Sequence, residues 1–372
     1  MSPETAPSKS PAPKPGGLVA RFEIHYHQYL NHRGEPVRRL PAFARNPKQL
    51  VAMYRAMRLT RLFDKKAIAL QRTGQLGTYA SPLGQEAIGV AIGTAMRAED
   101  VLLPAYREYG AQFLRGVSMT DILLYWGGDE RGMAYRIPRE DFPVCIPVAS
   151  QSAHAAGVAF AFKHRGEARV AVCVLGDGGT SKGDFYEALN LAGVWQLPLL
   201  FVVNSNQWAI SVPRERQSAA ATLAQKAIAG GFSGEQVDGN DVIAVTERVQ
   251  LALKKIRSGR GPMLIEALTY RMSDHTTADD AGRYRPDEEV EAQHAYDPLR
   301  RLKTWLLDTG HWNDAHDRQL TKDCMAEVDA AVQAYLDLPA QPPESMFDYL
   351  YETLPDALAE QREHVSRRKP GG

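Results

Sequence analysis

The sequence predicts an α/β protein, a mostly parallel sheet flanked by helices with helical extensions at both ends. Short apolar, strand-like runs occur at residues 170–175, 199–203 and 263–267. Helix-length segments, such as residues 184–194 and 242–257, separate such runs from their neighbours. Repeated strand–helix–strand alternation is how a chain builds a parallel sheet covered on both faces. A chain of 372 residues, 44 % of them hydrophobic, supports a large buried core.

Residues 1–17 are rich in Pro, Ser and Lys and carry no large apolar side chain, so disorder is expected there. An N-terminal extension over 18–75 holds the first helix. Asn46 is its expected cap, Pro47 suits the first helical position, Leu50, Tyr54 and Met57 recur at helical spacing, and Gly74 marks the stop. The α/β domain is assigned to 76–290. Within it, a proline-containing loop at 145–151 leads into a small-residue helix at 153–161. A helical C-terminal portion occupies 291–372, where Asp297 and Pro298 form a cap and first turn. Leu302, Trp305 and Leu306 supply its apolar stripe and Gly310 ends it.

Several classes are disfavoured. Lys plus Arg and Asp plus Glu both number 44, leaving no charge excess to attract nucleic acid or an anionic membrane. No apolar run approaches the ~20 residues of a membrane span, and the N-terminus lacks a signal-peptide layout. A cytoplasmic protein is expected. Cys145, Cys173 and Cys324 are too few for a disulfide framework and read most simply as small buried hydrophobes.

The chemistry concentrates in residues 170–211: a strand, a glycine-rich turn, a helix, a second strand and a polar turn. Ligands of open α/β sheets sit beyond the carboxyl ends of such strands. Gly176, Asp177, Gly178 and Gly179 occupy one end; Asn204, Ser205 and Asn206 occupy the other. Glycines let a backbone approach a diphosphate closely, and a carboxylate with an amide oxygen suits magnesium. Each loop alone could be an ordinary turn; the pair in this strand context points to a metal diphosphate. A nicotinamide fingerprint fits poorly, because Ser181 stands where the third glycine belongs, and no Gly-Lys-Ser/Thr follows for a Walker loop.

A Gly-Asp-Gly turn followed by an Asn-rich turn resembles the thiamine-diphosphate motif of transketolase-like and 2-oxoacid dehydrogenase enzymes. Over about residues 20–364 the chain looks like the alpha subunit of their heterotetrameric decarboxylating components, which implies a thiamine-diphosphate-binding fold. By that resemblance Asp177, the Asn206 side chain and the Trp208 carbonyl bind magnesium, with Asn204 as the rival if the register differs. Arg107, with Tyr106 beside it, would hold the terminal phosphate. Val148 would pack under the bent cofactor, and a potassium ion would sit near Ser150 and Gln151, a site weakened by cysteine at 145. His275 matches the active-site histidine, whose imidazole suits proton transfer near neutral pH. Asp279, Arg283, Tyr284 and Arg285 would brace its loop and help dock a lipoyl domain. Relatives phosphorylated in this loop carry serines where Thr276 and Pro286 stand, so that control is not expected.

The resemblance implies oxidative decarboxylation of a 2-oxoacid, with acyl transfer to the lipoyl group of a transacylase. It also implies an α2β2 assembly whose beta subunit supplies the glutamate that activates the cofactor. Segments 84–88, 206–211 and 343–347 look branched-chain-like, whereas 178–186 resembles bacterial pyruvate types. Branched-chain 2-oxoacids are the expected substrates and pyruvate the alternative, with acetoin further behind. A nicotinamide dehydrogenase and a non-catalytic assembly subunit are the readings from other classes. The second would require broken ligands, yet Asp177, Asn206, Arg107 and His275 all stand.

Overall fold

The computed structural model describes residues 15–348 and 350–367, so the disorder expected of residues 1–14 lies outside the described residues. The strands of the main sheet are β1 (Tyr26–His27), β2 (Val101–Leu103), β3 (Ala171–Gly176), β4 (Leu199–Ser205), β5 (Gly234–Asp238) and β6 (Met263–Leu268). They lie in the order β1-β5-β6-β4-β3-β2, and every pairing is parallel. The three long apolar runs are thus adjacent central strands. The others were hard to read for local reasons. β1 and β2 are too short for a periodic signal, and β5 reads Gly-Glu-Gln-Val-Asp. Its polar side chains are spent on partners: Glu235 pairs with Arg248 at 2.7 Å and Gln236 donates to Glu266 at 2.9 Å.

The principal helices are α1 (Pro47–Arg72), α2 (Glu86–Ala95), α3 (Ser150–Arg165), α4 (Gly183–Val194), α5 (Val242–Arg257), α6 (Pro298–Asp308) and α7 (Asp314–Leu336). Asn46 caps α1 by accepting from Lys48 N at 3.1 Å, and Gly74 takes φ +73° just past its end. Asp297 caps α6 through Arg300 N at 3.0 Å, with Pro298 in its first turn.

Strand alternation divides the core into two layers. Val172, Val174, Leu200, Val202 and Ile265 face one side, in the same apolar cluster as residues of α1, α2 and α5. Cys173, Leu175, Phe201 and Val203 face the other, with Ala155 and Ala159 of α3 and Phe185 and Ala188 of α4. Each fully buried Val, Leu or Phe contributes about 1.5–3 kcal/mol. Leu302 and Leu306 of α6 and Leu320 and Val328 of α7 join the first layer beside Leu50, Met57 and Phe63 of α1. No described helix is long and apolar enough to cross a membrane.

Parallel pairing places the carboxyl ends of the strands on one edge. Gly176 lies level with Asn204, and Ser205 with Leu268, so the loops after β3, β4 and β6 start side by side.

At the far end of the sheet one side chain fastens the N-terminal segment. Asp241 caps α5 through Ile243 N (3.1 Å) and Ala244 N (3.2 Å). Its other oxygen accepts from Tyr29 N (2.7 Å) and Leu30 N (2.8 Å). Removing a partner strands a buried donor at a cost of ~1–3 kcal/mol, whereas an exposed cap is worth about 1 kcal/mol. Asp241→Ala is therefore expected to lower the urea-unfolding midpoint several times more than Asn46→Ala. Equal shifts would show that Asp241 is not the fastening point.

Candidate functional site

The loops after β2, β3, β4 and β6 and the turn before α3 enclose a cavity of about 170 Å³ at the carboxyl edge. Tyr106, Arg107, Val148, Gly176, Asp177, Gly178, Gly179, Asn206, Trp208, Gln151 and His275 all line it, so residues separated by up to 169 positions in sequence meet there. The remaining potassium candidate, Ser150, is adjacent. Its hydroxyl donates to Pro147 O at 2.6 Å and lies 3.2 Å from Cys145 Sγ. Cys145 is half-buried and lines the cavity, unlike the fully buried Cys173 and Cys324, so its reading as a core residue is corrected. The exposed ring of the proline turn explains why: Ile146, Pro147 and Val148 face outward. A larger cavity of about 900 Å³ lies elsewhere, beside Leu124, Met133 and Ile137, and none of the sequence-predicted residues lines it.

Asp177 opens a short 3-10 turn directly after β3. One carboxylate oxygen accepts from Gly178 N at 2.7 Å, while the other is buried with no hydrogen-bond partner. Burial pushes this carboxyl up to about 6, against the pull of the Gly178 and Gln207 amides and of Arg271 and Arg214. A buried, half-satisfied carboxylate is costly on its own, and a cation is one partner that would satisfy it. Asn206 lines the same cavity, and its side-chain oxygen accepts from Trp208 N at 3.2 Å. Asn204 is excluded from the cavity lining: it belongs to β4 itself. The Trp208 carbonyl accepts from Arg271 Nη1 at 3.2 Å and keeps a second lone pair. Among the described residues no three His, Cys, Asp or Glu side chains gather into a metal cluster. Gly178 has its own reason to be glycine. A Cβ there would lie 2.5 Å from Ala209 Cβ, in the hairpin of Trp208–Ala209 with Val212–Pro213.

Arg107 is buried and its guanidinium forks between two loops. Nη1 donates to Ser81 O, and Nη2 donates to His275 O at 2.6 Å and lies 3.2 Å from His275 Nδ1. Burial first, then Arg107 and Arg271, lower His275 to about 4. The ring is therefore neutral at pH 7. With a guanidinium facing Nδ1, the proton resides on Nε2, and His275 is a hydrogen-bond donor from that side. The His275 amide donates to Asp279 at 2.8 Å, and Tyr284 also donates to that carboxylate. Burial opposes the ionised form of Asp279, but these bonds hold it below the usual carboxylate range. The four loop residues split in role. Arg285 is buried, donating to Arg271 O and Ser273 O, whereas Arg283 is almost fully exposed.

The segment 79–85 was not singled out as site-forming by sequence, yet it touches the site repeatedly. Tyr79 N and O bond Thr277 (3.0 and 2.9 Å), Ser81 O receives Arg107, and Gln85 accepts from Asn206 at 3.1 Å. Most of these contacts are through backbone atoms, which leave no motif; only Gly84-Gln85-Glu86 stood out in the sequence.

A cavity at the carboxyl edge of a parallel sheet, lined by glycine turns and polar side chains, is where α/β enzymes hold their ligands. The family described as "Dehydrogenase E1 component" matches residues 54–344. The chain is 40 % identical over 317 residues to the pyruvate dehydrogenase E1 component subunit alpha of Staphylococcus aureus, covering 85 % of this chain and 86 % of that one. The Staphylococcus epidermidis counterpart shows the same identity and coverage. This chain is also 37 % identical over 353 residues to the 3-methyl-2-oxobutanoate dehydrogenase subunit alpha of Mycobacterium tuberculosis, covering 95 % of this chain and 96 % of that one. The chain belongs to the dehydrogenase E1 component family, as an alpha subunit of a thiamine-diphosphate-dependent 2-oxoacid dehydrogenase.

The raised Asp177 value has a consequence for metal-free protein. Because the folded pKa lies above the unfolded one, this group's contribution to stability is full below about pH 4 and lost as pH rises through 6. Asp177→Asn removes that loss. In EDTA its melting temperature is expected to exceed the wild type's at pH 7–8 and to match it near pH 4. A wild-type advantage at pH 8 in EDTA would contradict the burial argument.

Proposed function

We propose that this chain supplies the metal- and diphosphate-holding half of an α2β2 enzyme that decarboxylates branched-chain 2-oxoacids and passes the acyl group to a lipoyl-bearing transacylase. The observation that carries the site reading is the partnerless buried oxygen of Asp177, a residue that lines one cavity with Asn206 and Trp208. Asp177, Asn206 and the Trp208 carbonyl would hold magnesium, and Arg107 with Tyr106 would hold the terminal phosphate through charge-assisted contacts. Gln151 keeps a buried side-chain oxygen without a partner, which supports a monovalent cation beside Ser150. The bound cofactor supplies the nucleophilic carbon and the electron sink for loss of carbon dioxide.

This chain's own groups then anchor, orient and donate. Neutral His275 offers its Nε2 proton to a diphosphate or substrate oxygen at the cavity mouth, and the Arg107–His275 contact fixes its ring. Val148 reaches the cavity from an exposed turn, ready to pack against a ring. A pocket that encloses a whole ligand usually measures ~300–1,000 Å³, so a space this size is half of one. A beta subunit would complete it and bring the activating glutamate. Exposed Arg283, on the His275 loop, is suited to meet a lipoyl domain.

Two findings bear on substrate and pull apart. The relative named for 3-methyl-2-oxobutanoate aligns over nearly the whole chain, while the relative named for pyruvate is slightly more identical over less of it. Branched-chain acids remain the proposal and pyruvate the second reading. Pockets discriminate a methylene or two by only ~1–3 kcal/mol, so the deciding comparison is kcat/KM for 3-methyl-2-oxobutanoate against pyruvate on the αβ enzyme. A higher value for the branched acid is expected; a clearly higher value for pyruvate overturns it. In calorimetry on the same heterotetramer, Asp177→Ala should abolish magnesium-dependent cofactor binding with the fold intact. Unchanged affinity would remove Asp177 from the ligand set.

A further inference from the structure

Gln85 stands at the N-terminal edge of α2, directly after Gly84, and only 3 % of it is exposed. The turn that places it has little freedom. Gly84 takes φ +90°, and a Cβ there would lie 2.6 Å from Tyr270 O. Glu86 holds the Gly84 amide at 3.0 Å with one oxygen and is paired with Arg61 through the other. Gln85 Oε1 is thereby presented to Asn206 Nδ2 at 3.1 Å.

At the other end of the Asn206 amide, Oδ1 accepts from Trp208 N at 3.2 Å. Rotating this amide by half a turn would set its NH2 against the Trp208 N–H and its oxygen against the Gln85 oxygen. Both contacts therefore select one orientation, in which Oδ1 keeps its second lone pair for the cavity. Gln85 gains little for itself, since its Nε2 is buried without an acceptor. Leaving a buried donor unpaired costs ~1–3 kcal/mol, and methionine would fill the same space without a donor of its own, losing only the acceptor that Asn206 uses. The amide is thus accounted for by its oxygen.

We propose that Gln85 is a positioning residue for the metal site, its side-chain oxygen turning the Asn206 amide so that Oδ1 faces the cation. The inference rests on the reading of Asp177 and Asn206 as magnesium ligands. Partners of this kind, which orient a ligand without touching the metal, typically change metal affinity 10–100-fold.

The test is calorimetric titration of magnesium into the heterotetramer at saturating thiamine diphosphate. Gln85→Met should weaken magnesium about 10–100-fold, and Gln85→Glu, which keeps an oxygen acceptor, should retain wild-type affinity. Melting temperature in EDTA should stay near wild type in Gln85→Met, which removes one unpaired buried donor (Gln85 Nε2) and leaves another (Asn206 Nδ2), whereas Gln85→Glu is expected to lower it by burying a carboxylate. An Asn206→Asp background separates orientation from damage, since a carboxylate offers oxygen at either end. There Gln85→Met should cost little, and Gln85→Ala serves if the methionine variant misfolds. An equal loss in both backgrounds, or wild-type affinity in Gln85→Met while Asp177→Ala loses binding, overturns the proposal. Wild-type affinity in Asp177→Ala instead would overturn the ligand reading on which it rests.

Discussion

A guanidinium taken wholly out of water is tolerable only if its N–H groups find acceptors, and Arg271 meets that requirement with oxygens of its own fold. It is fully buried. It donates to Trp208 O (3.2 Å), Ile210 O (2.9 Å), the Tyr284 hydroxyl (2.8 Å) and Ser273 O (3.3 Å), while its own carbonyl receives Arg285. One side chain thus ties the hairpin after β4 to the loop after β6. The Trp208 carbonyl, the His275 ring and the Tyr284–Asp279 contact take their places from it. Substitution by lysine would keep the charge and lose the fork, because one ammonium group cannot reach these acceptors in a plane.

Arg107, Arg271 and Arg285 gather behind a site that opposes them mainly with Asp177 and Asp279. Such a concentration of positive charge at the carboxyl edge of a sheet is suited to an anion, and Arg107 and Arg271 add to the burial that keeps His275 neutral.

What could be read from sequence was what local physics encodes. Asn46, Pro47 and Gly74 bracket α1 because capping and positive φ are short-range requirements. The central strands declared themselves because burial on both faces demands continuous apolar runs. Asp177 and Asn206 were visible because they follow such strands directly. Segment 79–85 was not, since its contacts with Thr277, Arg107 and Asn206 cross the fold. Arg271 gave no signal either, since it stands in a polar stretch of sequence, although it is among the most buried side chains of the described residues. The glycines were read for the close approach of a diphosphate, and one of them has a second reason that only the fold reveals. Gly178 yields to Ala209 of the hairpin, whereas a Cβ on Gly176 would meet nothing within 4 Å.

The fastening of Tyr29 and Leu30 by Asp241 has a consequence in time. The two ends of that contact are separated by 211 and 212 residues, and β1 pairs with a strand equally distant. At ribosomal rates of ~5–20 residues per second, the first segment waits roughly 10–40 s for its partner to be made. During that interval Tyr29 and Leu30, both buried in the finished protein, have nothing to cover them. The earliest residues to emerge are thus among the last that can settle, and the newborn chain depends on whatever shields it meanwhile.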